Sequence, residues 1–85
     1  MELVVDANVF FSALMRNSHT RHFLLLGGHT LYTSEFVLEE IMKYIDEICE
    51  KTLLSREEIV SLLNEIILLA NIRIIPVSEY KAYVK

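Results

Sequence analysis

With 85 residues, 53% of them hydrophobic, and a formal net charge of −4, the chain has room for one domain but carries more apolar material than a small monomer easily hides. The negative balance excludes a generic basic nucleic-acid coat, and no run approaches the roughly 18 apolar residues of a membrane span. A single cysteine, Cys49, excludes an internal disulfide and falls on an apolar helical stripe as a core residue. No basic leader precedes an apolar core at the start, so a cytoplasmic protein is expected.

Leu3-Val4-Val5 is an unbroken apolar run, the pattern of a short strand buried on both faces. Asp6 follows at once, at the carboxyl end of that strand, where open parallel sheets bind ligands. Asn8 is expected to cap a helix from Val9 to about Met15, although Asp6 also suits a plain turn or cap. Arg16-Asn17-Ser18 breaks the chain. Ser18 then caps a second helix from about His19 to Leu26, which Gly27-Gly28 ends. Thr30 to Thr33 has β-type composition and reads as a second strand.

Ser34 is expected to open a long third helix reaching roughly Glu50. Leu38, Ile41, Ile45 and Ile48 form its apolar stripe, widened by Met42 and Cys49. Glu39, Lys43, Asp46 and Glu50 fall opposite, while Glu40 sits on the flank near Val37 and Tyr44. Ser55-Arg56-Glu57-Glu58 matches a capping box at the start of a fourth helix. That helix carries Ile59, Leu62, Leu63, Ile66, Ile67 and Ala70 on one face. Val60, Leu68 and Leu69 extend its apolar surface beyond a normal stripe, so it is packed on more than one side, within the subunit or by a partner. Asn71 ends it, Ile72 to Ile75 forms a third strand closed by Pro76, and Ser78 caps a last helix over Glu79 to Lys85. The sum is a single α/β domain, with a three-stranded parallel sheet and about five helices.

Charge is unevenly distributed. No acid falls between Asp6 and Glu35, whereas Arg16, His19, Arg21, His22 and His29 all do. That segment reads either as a positive patch for a phosphate backbone, through Arg16, Arg21 and His22, or as an ordinary solvated face.

Val4-Val5-Asp6-Ala7-Asn8-Val9 with Phe11-Ser12-Ala13-Leu14 resembles the opening motif of PIN domains, which are metal-dependent nucleases. Thr33-Ser34-Glu35-Phe36-Val37-Leu38-Glu39-Glu40-Ile41 is similar to that family's second motif, a helix carrying an acidic ligand. Ile72-Arg73-Ile74-Ile75-Pro76 with Glu79-Tyr80 fits the next segment, so the resemblance spans essentially the whole chain. It implies Asp6 as the first metal-binding carboxylate and Glu40 as the second, with Glu39 competing for that place. Asn8 takes the polar, hydrogen-bonding position after the first acid. Mg²⁺ or Mn²⁺ would take these hard oxygen ligands, position a phosphodiester and activate a water.

PIN domains are longer, and the resemblance covers only their first half; two further strands and the remaining acids belong to the second. The reading is therefore a truncated PIN-like (endo)ribonuclease acting on single-stranded RNA, or a remnant of one, that cleaves poorly or not at all by itself. The alternative is a non-catalytic half-domain serving oligomerisation or protein interaction. The family includes toxins of toxin–antitoxin pairs, which admits a protein partner. A phosphohydrolase with an aspartate nucleophile is set lower, because that class shows an acid and then glycine where Asn8 and Val9 stand. The family's sheet order is third, second, first, fourth, fifth strand, so the first strand becomes an open edge here. A homo-oligomer, most simply a two-fold dimer, is expected, burying Leu3, Val4, Val5 and parts of the first and fourth helices.

Overall fold

Strands β1 (Glu2–Val4), β2 (Thr30–Ser34) and β3 (Arg73–Ile75) are all parallel and form one sheet in the order β1-β2-β3. The computed structural model describes residues 2–76 and Ser78, so the helix expected over 79–85 lies outside the described residues. Val4 pairs with Tyr32, Tyr32 with Arg73, and Ser34 with Ile75. With β1 at the edge, the expectation of a strand buried on both faces is corrected: Val4 is 75% exposed, Leu3 is half-buried, and Val5 beyond the strand enters the core. The cause is one-sided cover. Leu31 and Thr33 are buried beneath the helices, whereas Val4, Tyr32 and Arg73 line up across the other face and none of them is buried.

Five helices are present among the described residues: α1 (Ala7–Leu14), α2 (His19–Leu25), α3 (Glu35–Lys43), α4 (Ile45–Thr52) and α5 (Arg56–Leu69). Their starts follow capping chemistry. Ser18 Oγ accepts from the Arg21 N–H at 3.0 Å, and Ser34 Oγ accepts from Val37 at 3.3 Å. Ser55 and Glu58 close the expected capping box, with both bonds at 3.1 Å. Gly27 (φ 82°) and Gly28 (φ 84°) take the left-handed backbone that ends α2 cheaply.

The long helix expected from Ser34 to Glu50 is two helices. At Tyr44 (φ −104°, ψ 16°) the N–H turns back to the Ile41 carbonyl at 3.1 Å, a tightened final turn, and α4 restarts from the Tyr44 carbonyl. The bend keeps Ile41, Ile45 and Ile48 on the core, and α4 runs on to Thr52, whose buried hydroxyl donates to the Ile48 carbonyl at 2.7 Å. Leu53 closes α4 in the left-handed region (φ 62°).

Helix α1 lies at the centre, packed on α2, α3, α4 and α5. Its Phe10, Ala13 and Leu14 share one face and join Ile41, Ile45, Ile48, Ile59, Leu63 and Ile66 in the core. Cys49 is half-buried against that core. At the end of α5, Leu68 (77%) and Leu69 (61%) stay exposed, so the subunit does not cover the excess apolar surface of that helix. Among the described residues no helix is long and apolar enough to cross a membrane.

Candidate metal centre

Asp6 leaves β1 at the carboxyl edge of the sheet in an extended conformation (φ −88°, ψ 178°). Two contacts fix the residue before it: the Val5 N–H donates to the Tyr32 carbonyl at 2.6 Å, and the buried Thr33 hydroxyl donates to the Val5 carbonyl at 2.8 Å. The sequence reading missed Thr33, because a threonine inside a strand is ordinary β composition and nothing marks its hydroxyl.

Asp6, not Asn8, is the N-cap of α1. Its Oδ1 accepts from the Val9 N–H at 2.9 Å, and the helix begins at Ala7, two residues earlier than expected. Asn8 already has helical backbone, so its side chain is past the position from which a cap can fold back. It is exposed and makes no side-chain hydrogen bond among the described residues. Asp6 is exposed too, and its Oδ2 carries no hydrogen bond among them. A carboxylate at a helix N-terminus is favoured by the helix dipole.

Glu39 and Glu40 are both exposed on α3, which starts from Ser34 at the same edge of the sheet. Successive helical residues are about 100° apart, so Glu40 falls on the side of Val37 and Tyr44, while Glu39 points away from the buried Ile41. Tyr44 meets α1 edge-to-face: its ring and that of Phe11 lie 6.1 Å apart at 87°. Neither Glu39 nor Glu40 forms an ion pair among the described residues, where Asp46–Arg56 at 3.0 Å does. Among those residues no group of three or more His, Cys, Asp or Glu side chains comes together.

The basic candidates lie elsewhere. Arg21 is half-buried, and its Nη1 donates to the carbonyls of Ala13 (3.0 Å) and Met15 (3.4 Å), closing the end of α1. Arg16 and His22 are exposed, but Arg16 follows the C-terminus of α1, about 12 Å of helix from Asp6. His29 is only partly open to solvent. It is half-buried and stacked on Phe23 (5.3 Å, 30°), and its Nδ1 is buried without a hydrogen-bond partner. Such an atom costs about 1–3 kcal/mol. His29→Phe, which keeps the stack and removes the atom, is therefore expected to raise the melting temperature by about 4 °C or more. A lower melting temperature in a circular-dichroism melt would mean that the nitrogen has a partner in solution.

Compared with protein-family models, residues 4–85 match the PIN domain. Neither the curated proteins nor the solved structures gave a match.

Proposed function

The chain belongs to the PIN-domain family, a nuclease-type family, and from that premise we propose that Asp6 and Glu40 together hold one divalent cation, Mg²⁺ or Mn²⁺, to which single-stranded RNA is presented. The contact between Phe11 and Tyr44 carries the reading. Helices α1 and α3 both leave the carboxyl edge of the sheet, and one turn back from that ring pair stand Ala7 on α1 and Glu40 on α3. In the proposed site the Glu40 side chain reaches from that turn of α3 toward the helix N-terminus that Asp6 caps.

The donor set fits such a cation. The carboxylates of Asp6 and Glu40 are hard ligands, and Mg²⁺ commonly takes one or two carboxylates and keeps several waters. When bound, the cation would offset phosphodiester charge and lower the pKa of a bound water. The chain's own part is to orient. Asp6 keeps Oδ1 on the Val9 N–H and offers Oδ2, while the first turn of α1 directs unpaired N–H groups toward a phosphate. A second cation needs more acids than these two, and they would come from another subunit or from outside the described residues.

Binding of labelled single-stranded RNA, followed by fluorescence anisotropy, is expected to tighten on addition of Mn²⁺, and Glu40→Gln is expected to lose that dependence. The RNA is expected to stay intact. Binding indifferent to Mn²⁺, or unaltered by Glu40→Gln, would sink the proposed site. Fast Mn²⁺-dependent cleavage that vanishes in Asp6→Asn would instead mean that the 85-residue chain assembles a complete centre. The second reading, an interaction module, is favoured by the exposed leucines at the ends of α2 and α5.

A further inference from the structure

The aromatic contact between α1 and Tyr44 borders a small pocket. Its volume is about 210 Å³, and it is lined by Phe11 and Met15 on the α1 side and by Tyr44, Glu47, Ile48 and Lys51 on the α4 side. Phe11 stands one turn, about 6 Å, along α1 from Ala7, the residue that follows Asp6. The pocket therefore begins about one turn from the helix N-terminus at the candidate metal centre. Ile48 is buried, while Tyr44 remains 44% exposed. Phe11 and Tyr44 meet edge-to-face, which uses one face of one ring and leaves the other faces for a further π-system. Glu47 and Lys51 are exposed, and neither forms an ion pair among the described residues.

We propose that this pocket holds one base of a single-stranded RNA, stacked on the ring of Tyr44, with Lys51 on a backbone phosphate beside it. The inference rests on the reading that the chain binds single-stranded RNA, and adds where a base is held. Size, charge and position select the occupant. The volume falls below the roughly 300–1,000 Å³ that drug-sized ligands fill, so the pocket admits a single ring system. A phosphate placed inside would meet Glu47, and a cation would meet Lys51. A base is neutral, and its edge carries both donors and acceptors. An RNA whose phosphate lies at the start of α1 has to place a neighbouring base close by, and unstacked RNA bases are held on aromatic side chains. A peptide side chain would fill the apolar floor but bring no anion for Lys51.

The test uses a short single-stranded RNA carrying one 2-aminopurine, whose fluorescence falls when the base stacks; the chain has no tryptophan to interfere. Titration in EDTA reads the pocket apart from any cation. The 85-residue chain is expected to quench the probe, and Tyr44→Phe, which keeps the ring, to bind within about twofold of it. Tyr44→Leu keeps apolar bulk but should bind about fivefold or more weakly, the least that loss of one base–aromatic stack costs. Lys51→Gln should weaken binding and make it less sensitive to salt, as loss of one phosphate contact does. Free 2-aminopurine riboside should need about tenfold or more higher concentration than the RNA, because no neighbouring phosphate tethers it. Circular dichroism on each variant checks that the fold persists. No quenching, whether or not the RNA binds, overturns the proposal and leaves the pocket to a protein segment. So does a quench that Tyr44→Leu retains, or a free riboside bound as tightly as the RNA. Mn²⁺ added afterwards reads the other site: a failure to tighten binding would overturn the cation reading alone and leave the base pocket standing.

Discussion

Phe10→Ala is expected to remove most of the stability of the chain. Phe10 is fully buried on the central helix, where it meets the isoleucines of the core. Truncating such a ring costs about 3–5 kcal/mol in lost burial and residual cavity. A domain of this length has roughly 4–13 kcal/mol in all, at about 0.05–0.15 kcal/mol per residue. The melting temperature should fall by about 12 °C or more, with partial unfolding at 37 °C. Phe10→Leu refills much of the volume and should cost less than about 1.5 kcal/mol, a several-fold contrast that separates packing from general damage. If a denaturation series gave a loss under about 1 kcal/mol for the alanine variant, α1 would not be the centre of the core. The effect also reaches the candidate site, because Asp6 caps the same helix and a melted α1 would leave its carboxylate unplaced.

The parallel α/β layout could be read from the chain because its signals are local. Serine caps at Ser18, Ser34 and Ser55, a glycine stop after α2 and apolar β-type runs set the element order one by one. What could not be read depends on contacts distant in sequence. The bend at Tyr44 occurs without glycine or proline, and follows from keeping Ile41, Ile45 and Ile48 on one core. The exposure of Val4 depends on whether helices cover one face of the sheet or both, and an apolar run reads the same in either case. The place of Asp6 was legible, since it directly follows an apolar β-type run and so falls at the carboxyl end of a strand, although Asp6 is exposed and no burial cost marks it. Its role as a cap was narrower to read: Asp6 and Asn8 are both good cap residues, and only the backbone of Asp6 is non-helical. The half-buried places of His29 and Arg21 were not legible, because one is set by a ring stack and the other by carbonyls at the end of α1.

Asp6 now has two candidate duties, and two substitutions pull them apart. As N-cap it accepts the Val9 N–H; as ligand it would offer its other oxygen to a cation. Asparagine caps about as well as aspartate, so Asp6→Asn should keep the melting temperature within about 2 °C of the unaltered chain. It removes one of only two carboxylates, so its Mn²⁺ affinity, measured by electron paramagnetic resonance, should fall about tenfold or more. Asp6→Ala loses both duties: the same fall in affinity, and about 1 kcal/mol of stability, or roughly 4–8 °C. Glu40→Gln makes the complementary control. Glu40 is exposed and has no ion-pair partner among the described residues, so its loss should leave the melt unmoved while weakening Mn²⁺ binding as much as Asp6→Asn does. Equal Mn²⁺ affinity in Asp6→Asn and the unaltered chain would leave Asp6 as a helix cap alone. A weakening in Asp6→Asn that Glu40→Gln does not share would keep Asp6 as a ligand and move the second carboxylate to Glu39, the neighbouring acid on the same turn of α3.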